Sequence, residues 1–101
     1  MVRTLEPTIP KLLTPSEIVQ ALAKLQGWSQ SGNEITRTFT LASFPAALAF
    51  ASAVGHLAER ADHHPDILIN YRKVTLTLST HSAGGLTEKD FGLANEINAI
   101  A

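Results

Sequence analysis

Residues 62–81 read DHHPDILINYRKVTLTLSTH, and this stretch decides the fold because it contains two segments with a β-strand pattern. Apolar or aromatic side chains recur at every second position from 67 to 71 and again from 74 to 78. A period of two is typical of strands with one buried face. Only Arg72 and Lys73 separate the segments, so we expect an antiparallel hairpin in which opposite residue numbers sum to 145.

A helix is expected immediately before this hairpin. Ser43 and Pro45 are typical of a helix start, and Pro65 predicts an end near Asp62 because the residue before a proline avoids the α region. Between these signals, small and apolar side chains recur three and four positions apart: Ala47, Phe50, Ala51, Val54, Leu57, Ala58 and Ala61. This apolar face predicts close packing of the helix against a sheet.

Another helix is predicted near the start of the chain. Residues 14–17 read TPSE, which combines a threonine N-cap, a proline in the first turn and a glutamate at the capping-box position. An apolar stripe formed by Ile18, Leu22 and Leu25 follows. Gly27 predicts the end of this helix.

Two further strands are expected between these helices. Trp28 begins a short extended segment, and the Ser-Gly-Asn sequence at 31–33 favours a hairpin turn. Residues 34–41 are rich in β-branched side chains and predict the second strand. Its apolar face consists of Ile35, Phe39 and Leu41. Arg37 interrupts this pattern, so the sequence alone does not decide which face of the strand is buried.

A loop and a third helix complete the chain. Residues 82–85 predict the loop, and Thr87 caps the helix with Asp90 in the capping-box position. The predicted inner face of this helix consists of Ala94, Ile97 and Ala101. The order helix, two strands, helix, two strands, helix indicates one α+β domain over residues 1–101, in two layers, with a four-stranded antiparallel sheet and helices on one face. Residues 1–13 are expected to form an extended N-terminal segment.

The composition excludes several classes of protein. Hydrophobic residues make up 45% and charged residues 17% of the 101 residues, as in one globular domain. A formal net charge of -1 provides no broad basic surface, so no nucleic-acid partner is expected. No signal peptide and no apolar run long enough to span a bilayer are evident, so no membrane partner is expected either. The lack of cysteine excludes disulfides and is compatible with the cytoplasmic location that we expect.

Histidines gather at one edge of the predicted hairpin. In the register given above, His64 lies opposite His81, and His63 is its chain neighbour. An imidazole has an unperturbed pKa of about 6.5 and can act as an acid or a base near neutral pH. Consecutive residues of an extended segment point in opposite directions, so at most one of His63 and His64 should face straight into a site. Backbone N–H groups at the start of the last helix are expected at the same edge.

Other interpretations of these residues stay open on the pattern alone. Three imidazoles could bind zinc, although adjacent ligands diverge and no His-x-x-x-His pattern is present. Asp90 could serve only as a helix cap, and Asp62 and Asp66 could orient imidazoles or close turns. Trp28 could belong to the core rather than to a site.

Several spaced sequence blocks resemble the signature of the pterin-4a-carbinolamine dehydratase family. They read Glu59-x-x-Asp62-His63-His64-Pro65-Asp66, Tyr71-x-x-Val74, Leu78-Ser79-Thr80-His81 and Gly85-Leu86-Thr87-x-x-Asp90. The resemblance extends upstream to Phe44 and to Gly27-Trp28, and it covers roughly residues 14–100. Several blocks in the right order make the resemblance specific, which a lone His-His-Pro would not be.

The resemblance implies a lyase that dehydrates 4a-hydroxytetrahydropterin to quinonoid dihydropterin and so recycles pterin after aromatic amino-acid hydroxylation. It makes His63 and His81 the acid–base candidates, while His64 positions the pterin and shares in proton transfer. Substrate contacts are implied for a further set: Trp28, Asp62, Pro65, Asp66, Ser79, Thr80 and Asp90. The reaction needs no redox cofactor and no metal. Members of the family form homodimers or homotetramers by joining their sheets, which we also expect here.

The same resemblance leaves room for a non-catalytic function. Relatives act as dimerisation partners of a transcription factor or as RuBisCO assembly factors, and the latter tend to lose the histidine motif. That motif is complete here, which favours the enzyme. Two departures from the animal members are Asp66, where they have glutamate, and Ile67, where they have an aromatic residue. Both affect the expected substrate pocket and leave the histidines intact.

Overall fold

The structure, a computed structural model, describes residues 10–101 and contains three α-helices and four β-strands. In chain order these are α1 (Pro15–Ala23), β1 (Ser29–Ser31), β2 (Glu34–Thr40), α2 (Phe44–Ala61), β3 (Asp66–Asn70), β4 (Lys73–Leu78) and α3 (Glu88–Ile100), with a short 3₁₀ helix at His81–Ala83. The predicted α+β fold and the predicted order of its elements are confirmed. The extended segment expected at 1–13 falls mostly on residues 1–9, which lie outside the described residues.

The strands form one antiparallel sheet in the order β1-β2-β4-β3. The two hairpins meet along β2 and β4, where Ile35 pairs with Leu78 and both side chains are buried under the helices. The opposite face of the sheet is polar, and the hydroxyl groups of Thr38 and Thr75 lie 2.8 Å apart there. The helices therefore cover one face of the sheet, as predicted.

The hairpin between β3 and β4 has a different register from the one predicted. Asn70 pairs with Lys73, so opposite residue numbers sum to 143 rather than 145. β3 ends at Asn70 because Tyr71 adopts a left-handed backbone conformation with a φ of 56°. The turn consists of Tyr71 and Arg72, and the turn predicted at Arg72 and Lys73 is wrong.

This shift changes the position expected for the histidines. When the observed register is extended, Ser79 rather than His81 lies opposite His64. The ladder itself stops short of both histidines, because β3 begins at Asp66 and β4 ends at Leu78. The direct opposition predicted for His64 and His81 is therefore wrong.

α2 begins and ends where the sequence predicts. The Ser43 hydroxyl accepts a hydrogen bond from the Ala46 N–H at 3.1 Å, and Asp62 is the C-cap in a left-handed conformation. The buried face of the helix consists of Ala47, Phe50, Val54 and Ala58. Ala61, which was predicted on this face, is exposed because it lies in the last turn. No helix within residues 10–101 is both long and apolar enough to cross a membrane.

The capping boxes predicted for α1 and α3 are both confirmed. At α1, the Thr14 hydroxyl accepts from the Glu17 N–H at 3.2 Å, and the Glu17 carboxylate accepts from the Thr14 N–H at 2.8 Å. At α3, the Asp90 carboxylate accepts from the Thr87 N–H at 2.9 Å, and the Thr87 hydroxyl accepts from the Lys89 N–H at 3.2 Å. Each box satisfies backbone donors that the first helical turn would otherwise leave unpaired.

Two details of the helices differ from the predictions. α1 ends at Ala23, because the N–H of the C-cap Lys24 bonds to the carbonyl three residues back and the chain then turns to bury Leu25. The end predicted at Gly27 is therefore wrong. Ala101, predicted on the inner face of α3, lies beyond the end of the helix and is exposed.

A polar cluster at the C-terminal end of α3 explains the unexpected arginine in β2. We call the set Gln26, Trp28, Arg37 and Asn98 the Arg37 cluster. Asn98 Oδ1 accepts from the Trp28 indole N–H and from the Arg37 guanidinium, each at 2.8 Å. Arg37 also donates to the Gln26 carbonyl at 3.0 Å and lies 4.3 Å from the centre of the Phe39 ring. Arg37 thus shares a face with the core residues of β2 and has hydrogen-bond partners there.

Candidate active site

His63 belongs to a buried hydrogen-bonded network at the start of α3. We call the set His63, Thr80, Thr87 and Asp90 the His63 network. His63 Nε2 lies 2.6 Å from Asp90 Oδ1. Asp90 Oδ2 accepts from the Thr80 hydroxyl at 2.8 Å and from the Thr87 N–H at 2.9 Å. Asp90, the capping-box residue of α3, is 0% exposed. The same carboxylate therefore caps the helix and holds the His63 imidazole.

The end of α2 brings His63 to this position. Asp62 adopts a φ of 50°, and the His63 N–H then donates to the Ala58 carbonyl at 3.0 Å. His63 is buried after this turn, while His64 is exposed. Their opposite environments agree with the divergence expected for consecutive residues before Pro65.

The loop after β4 supplies Thr80. Thr80 forms an isolated antiparallel bridge with Gly85, and its N–H donates to the Gly85 carbonyl at 2.9 Å. Between them lies the 3₁₀ helix His81–Ala83, where the sequence predicted a loop, and Gly84 follows with a φ of 76°. This closed loop leaves Thr80 buried and His81 exposed.

The second ring nitrogen of His63, Nδ1, has no hydrogen-bond partner among the described residues. No fully buried side-chain nitrogen or oxygen lacks a partner in this part of the chain. Nδ1 therefore reaches solvent, although the His63 side chain is only 9% exposed. The imidazole has one nitrogen held by a carboxylate and one nitrogen at the surface.

His64 has a different environment from its neighbour. Its Nε2 lies 2.8 Å from Glu59 Oε1, and the side chains of His64 and Glu59 are 59% and 81% exposed. A surface pair of this kind contributes at most about 1 kcal/mol to stability. The contact therefore orients the His64 ring more than it stabilises the fold.

His81 lines an open cavity between the β1–β2 turn and the loop after β4. The cavity has a volume of about 470 Å³ and is lined by Ser31, Gly32, Asn33, Glu34, Ser79, His81 and Gly84. The Ser79 hydroxyl donates to the Asn33 carbonyl at 2.9 Å and ties the two segments together. The volume lies in the range of small-molecule sites. The cavity places an imidazole and the Glu34 carboxylate on one surface.

The three histidines occupy three environments around one region. No hydrogen bond within residues 10–101 joins any two of the imidazoles. His64 follows His63 in the chain, and His81 follows Thr80, which shares the Asp90 carboxylate with His63. Over the same residues, no group of three His, Asp or Glu side chains is arranged to hold a metal ion. The region therefore offers one buried, one surface-paired and one cavity-lining imidazole.

The other predicted contact residues fall into two groups. Ser79 lines the His81 cavity, and Asp62, Pro65 and Asp66 flank the adjacent histidines in exposed or half-buried positions. Trp28 lies in the core, packs edge-to-face against Phe39 and bonds within the Arg37 cluster. None of the hydrogen bonds found for Trp28 within the described residues reaches another predicted site residue.

Several residues of this region were not predicted as parts of a site. Glu59 pairs with His64, and a signal was available because Glu59 begins the histidine block of the sequence signature. Asn33 and Glu34 reach the His81 cavity only because β2 pairs with β4. No local pattern reveals that pairing, because the two strands are separated by α2 and β3.

Comparison with known proteins identifies relatives along almost the whole chain. Residues 11–100 match the family described as pterin 4 alpha carbinolamine dehydratase. A protein of Roseiflexus castenholzii is 60% identical over 89 residues, which cover 88% of this chain and 96% of that protein. A protein of Nocardia farcinica is 54% identical over 91 residues, which cover 90% of this chain and 96% of its own. Both relatives are provisionally named as pterin-4-alpha-carbinolamine dehydratases.

Two solved structures are similar in fold. A transcriptional coactivator/pterin dehydratase from Brucella melitensis superposes with a TM-score of 0.84 at 42% identity, covering 88% of this chain and 97% of its own. A pterin dehydratase-like protein identified as a RuBisCO assembly factor in the α-carboxysome gives a TM-score of 0.63 at 25% identity, covering 75% and 90%. The fold is thus shared by proteins with different described roles.

Proposed function

The chain belongs to the pterin 4 alpha carbinolamine dehydratase family, and from this premise we propose that it dehydrates 4a-hydroxytetrahydropterin to quinonoid dihydropterin. The reaction would recycle pterin after the hydroxylation of an aromatic amino acid. The single observation that carries the proposal is the environment of His63, whose imidazole is held by a buried carboxylate at one nitrogen and is open at the other.

The dehydration requires one proton to be delivered and one to be removed. An acid protonates the hydroxyl group on C4a, the C4a–O bond breaks and water leaves. The N5 electron pair forms the C4a=N5 bond, and a base accepts the N5 proton. Positioned acid and base groups of this kind accelerate reactions about 10²-fold to 10⁴-fold. Imidazoles suit both tasks because they ionise near neutral pH.

We assign the acid and base roles to His63 and His81. His63 has a fixed ring orientation, and His81 lies on a cavity of sufficient size for a bicyclic substrate. His64, oriented by Glu59, would position the pterin and share in proton transfer. These assignments give the buried and the cavity-lining histidines the chemical step and the surface-paired histidine a binding role.

Polar groups of the cavity suit the edge of a pterin ring. The Glu34 carboxylate can accept hydrogen bonds from the ring and amino N–H groups, and the Ser79 hydroxyl lies on the same surface. Asp62, Pro65 and Asp66 flank the adjacent histidines and would contact the remaining part of the substrate.

We also propose that two or four copies associate through the edge of the sheet. β3 is an edge strand, and its backbone groups on one side have no strand partner within the described residues. Ile67 and Leu68 are 39% and 63% exposed on this strand. Light scattering at micromolar concentration should give the mass of a dimer or tetramer, and the mass of one chain would contradict this assembly.

A non-catalytic assembly role is the second candidate. It is supported by the shared fold of the RuBisCO assembly factor, which is 25% identical to this chain. The complete set of His63, His64 and His81 favours the dehydratase.

The deciding experiment measures dehydration of freshly generated 4a-carbinolamine at several protein concentrations. The dehydratase predicts a rate that rises in proportion to protein above the spontaneous reaction. A rate equal to the spontaneous background at every protein concentration would contradict the enzymatic function and favour the binding role.

A further inference from the structure

Thr80 and Asp90 are too deeply buried to touch a ligand. Asp90 is 0% and Thr80 is 3% exposed, whereas the resemblance implies that both contact the substrate. We propose instead that they are positioning residues that fix His63 with its proton on Nε2, so that the unprotonated Nδ1 is the nitrogen that meets the substrate. This inference rests on the proposed dehydratase function and specifies which atom of His63 acts.

The hydrogen bonds on one side of Asp90 determine where each proton lies. Thr80 has one hydroxyl proton and donates it to Asp90 Oδ2 at 2.8 Å. In the 2.8 Å contact between the Thr80 and Thr87 hydroxyls, Thr87 must therefore be the donor. The Thr87 oxygen in turn accepts from the Lys89 N–H at 3.2 Å. The hydroxyl donors therefore form a chain, in which Thr87 donates to Thr80 and Thr80 donates to Asp90 Oδ2.

The other carboxylate oxygen then sets the tautomer of His63. We take Asp90 as ionised, because its Oδ2 accepts two hydrogen bonds; an ionised carboxylate only accepts, so Nε2, 2.6 Å from Asp90 Oδ1, then carries the proton. In a neutral imidazole the remaining nitrogen is an acceptor, and this nitrogen is the solvent-accessible Nδ1. The network therefore presents His63 as a base through Nδ1, with its orientation fixed from behind.

Asp90→Asn tests this arrangement with almost no change in shape. The Thr80 hydroxyl and the Thr87 N–H both donate towards the position of Oδ2, so the amide oxygen of the variant should occupy it. The amide NH₂ then faces His63 Nε2, which must become an acceptor. The proton should move to Nδ1 and remove the base from the substrate side. An inverted tautomer has this consequence in serine proteases, where it lowers turnover about 10⁴-fold.

The direct readout is the ¹⁵N NMR signal of the His63 ring in histidine-labelled protein at alkaline pH, where an imidazole is neutral. The wild type should show a protonated Nε2 and an unprotonated Nδ1, and Asp90→Asn should show the reverse. A merely structural role of Asp90 would not exchange the two signals. A wild-type His63 with its proton on Nδ1 would overturn the inference.

Thr80→Val provides a second test that does not depend on the folding of Asp90→Asn. It removes one donor to Oδ2 while the Thr87 N–H remains, so the tautomer should persist and the carboxylate should be held less firmly. We expect kcat to fall about tenfold, which is the effect on rate that the loss of one hydrogen bond should have. KM should stay within about twofold of the wild-type value. Thr80→Ser keeps the hydroxyl and should restore kcat.

Thr75→Val is the matched control for Thr80→Val. It removes a hydroxyl from a contact of the same 2.8 Å length, on the outer face of the sheet, and should leave kcat unchanged. Equal kcat for the wild type, Thr80→Val and Asp90→Asn would overturn the inference. A wild type without dehydration above background would overturn the proposed function instead. The NMR readout separates the two failures, because it reports the His63 tautomer without any turnover.

Discussion

α3 has a polar cluster at each end, and the two clusters differ in what they leave unpaired. At the C-terminal end, Asn98 accepts from Trp28 and Arg37, and every hydrogen bond found for Asn98 joins parts of the fold. At the N-terminal end, Asp90 is bonded as completely, but its partner His63 keeps a solvent-accessible nitrogen. The Arg37 cluster is therefore assigned to stability, and the His63 network to chemistry.

The largest effect is expected at the cavity beside the His63 network. His81→Ala should lower kcat/KM about 10²-fold to 10⁴-fold, because it removes one of the two proposed acid–base groups. The free energy of unfolding should change little, since His81 is exposed. The dehydration assay and urea denaturation measure the two quantities. His56→Ala, an exposed histidine on α2, is the control and should retain the wild-type rate.

Gly27→Ala should have a large effect on stability and none on the rate of the folded protein. Gly27 has a φ of 87°, and a Cβ there would lie 2.6 Å from two atoms of the Arg37 guanidinium group. We expect a loss of about 2–3 kcal/mol, from left-handed strain and displacement of Arg37. Urea denaturation should show a smaller loss for Gly32→Ala, which has a φ of 58° and open space around it. Equal losses would contradict the contact with Arg37.

Asn98→Ala should destabilise the protein by about 1–3 kcal/mol, because the buried Trp28 indole N–H loses its acceptor. Dehydration by the folded variant should match the wild type. Asn95→Ala, an exposed asparagine of the same helix, is the control for the lost side chain. A drop in kcat with Asn98→Ala but not with Asn95→Ala would show that the two ends of α3 are not functionally separate.

The smallest effect is expected at the capping box of α1, where Thr14 and Glu17 are both exposed. The hydrogen bond that the Thr14 N–H donates to the Glu17 carboxylate is the main cause that lowers the pKa of Glu17 below its ordinary 4.5. A lowered pKa means that the contribution to stability is present above pH 4.5 and is lost as the pH falls through the folded-state pKa. Wild type should exceed Glu17→Gln slightly in stability at pH 7, and thermal unfolding should show that the difference disappears in acid. A constant difference would contradict the assignment.

The sequence predicts the parts of the fold that depend on neighbouring residues. Thr14, Ser43 and Thr87 cap helices as predicted, because a capping box or an N-cap is a local hydrogen-bond pattern. Tyr71 was not predicted in a left-handed conformation, since that region favours glycine or asparagine, and the register error follows from this residue. Arg37 could not be interpreted because its partner Asn98 is 61 residues away.

The candidate site was predictable to a similar extent. The histidines and Asp90 have a recognisable spacing, and the capping role of Asp90 was visible in Thr87-x-x-Asp90. The contact between Asp90 and His63 was not, because it depends on how α3 meets the end of α2. Glu34 escaped prediction for the same reason, since β2 and β4 pair across the whole of α2.

The most direct test of the contrast between the two ends of α3 compares His63→Ala with Arg37→Met. Met keeps an unbranched apolar side chain, while it removes the guanidinium group that lies over Phe39 and donates to Asn98. The measurement is kcat for dehydration per folded molecule, at a temperature where both variants are folded. We predict a loss of about 10²-fold or more for His63→Ala and a kcat within about twofold of the wild type for Arg37→Met. Similar losses in both variants, or a wild-type rate for His63→Ala, would contradict the assignment of chemistry to the His63 network.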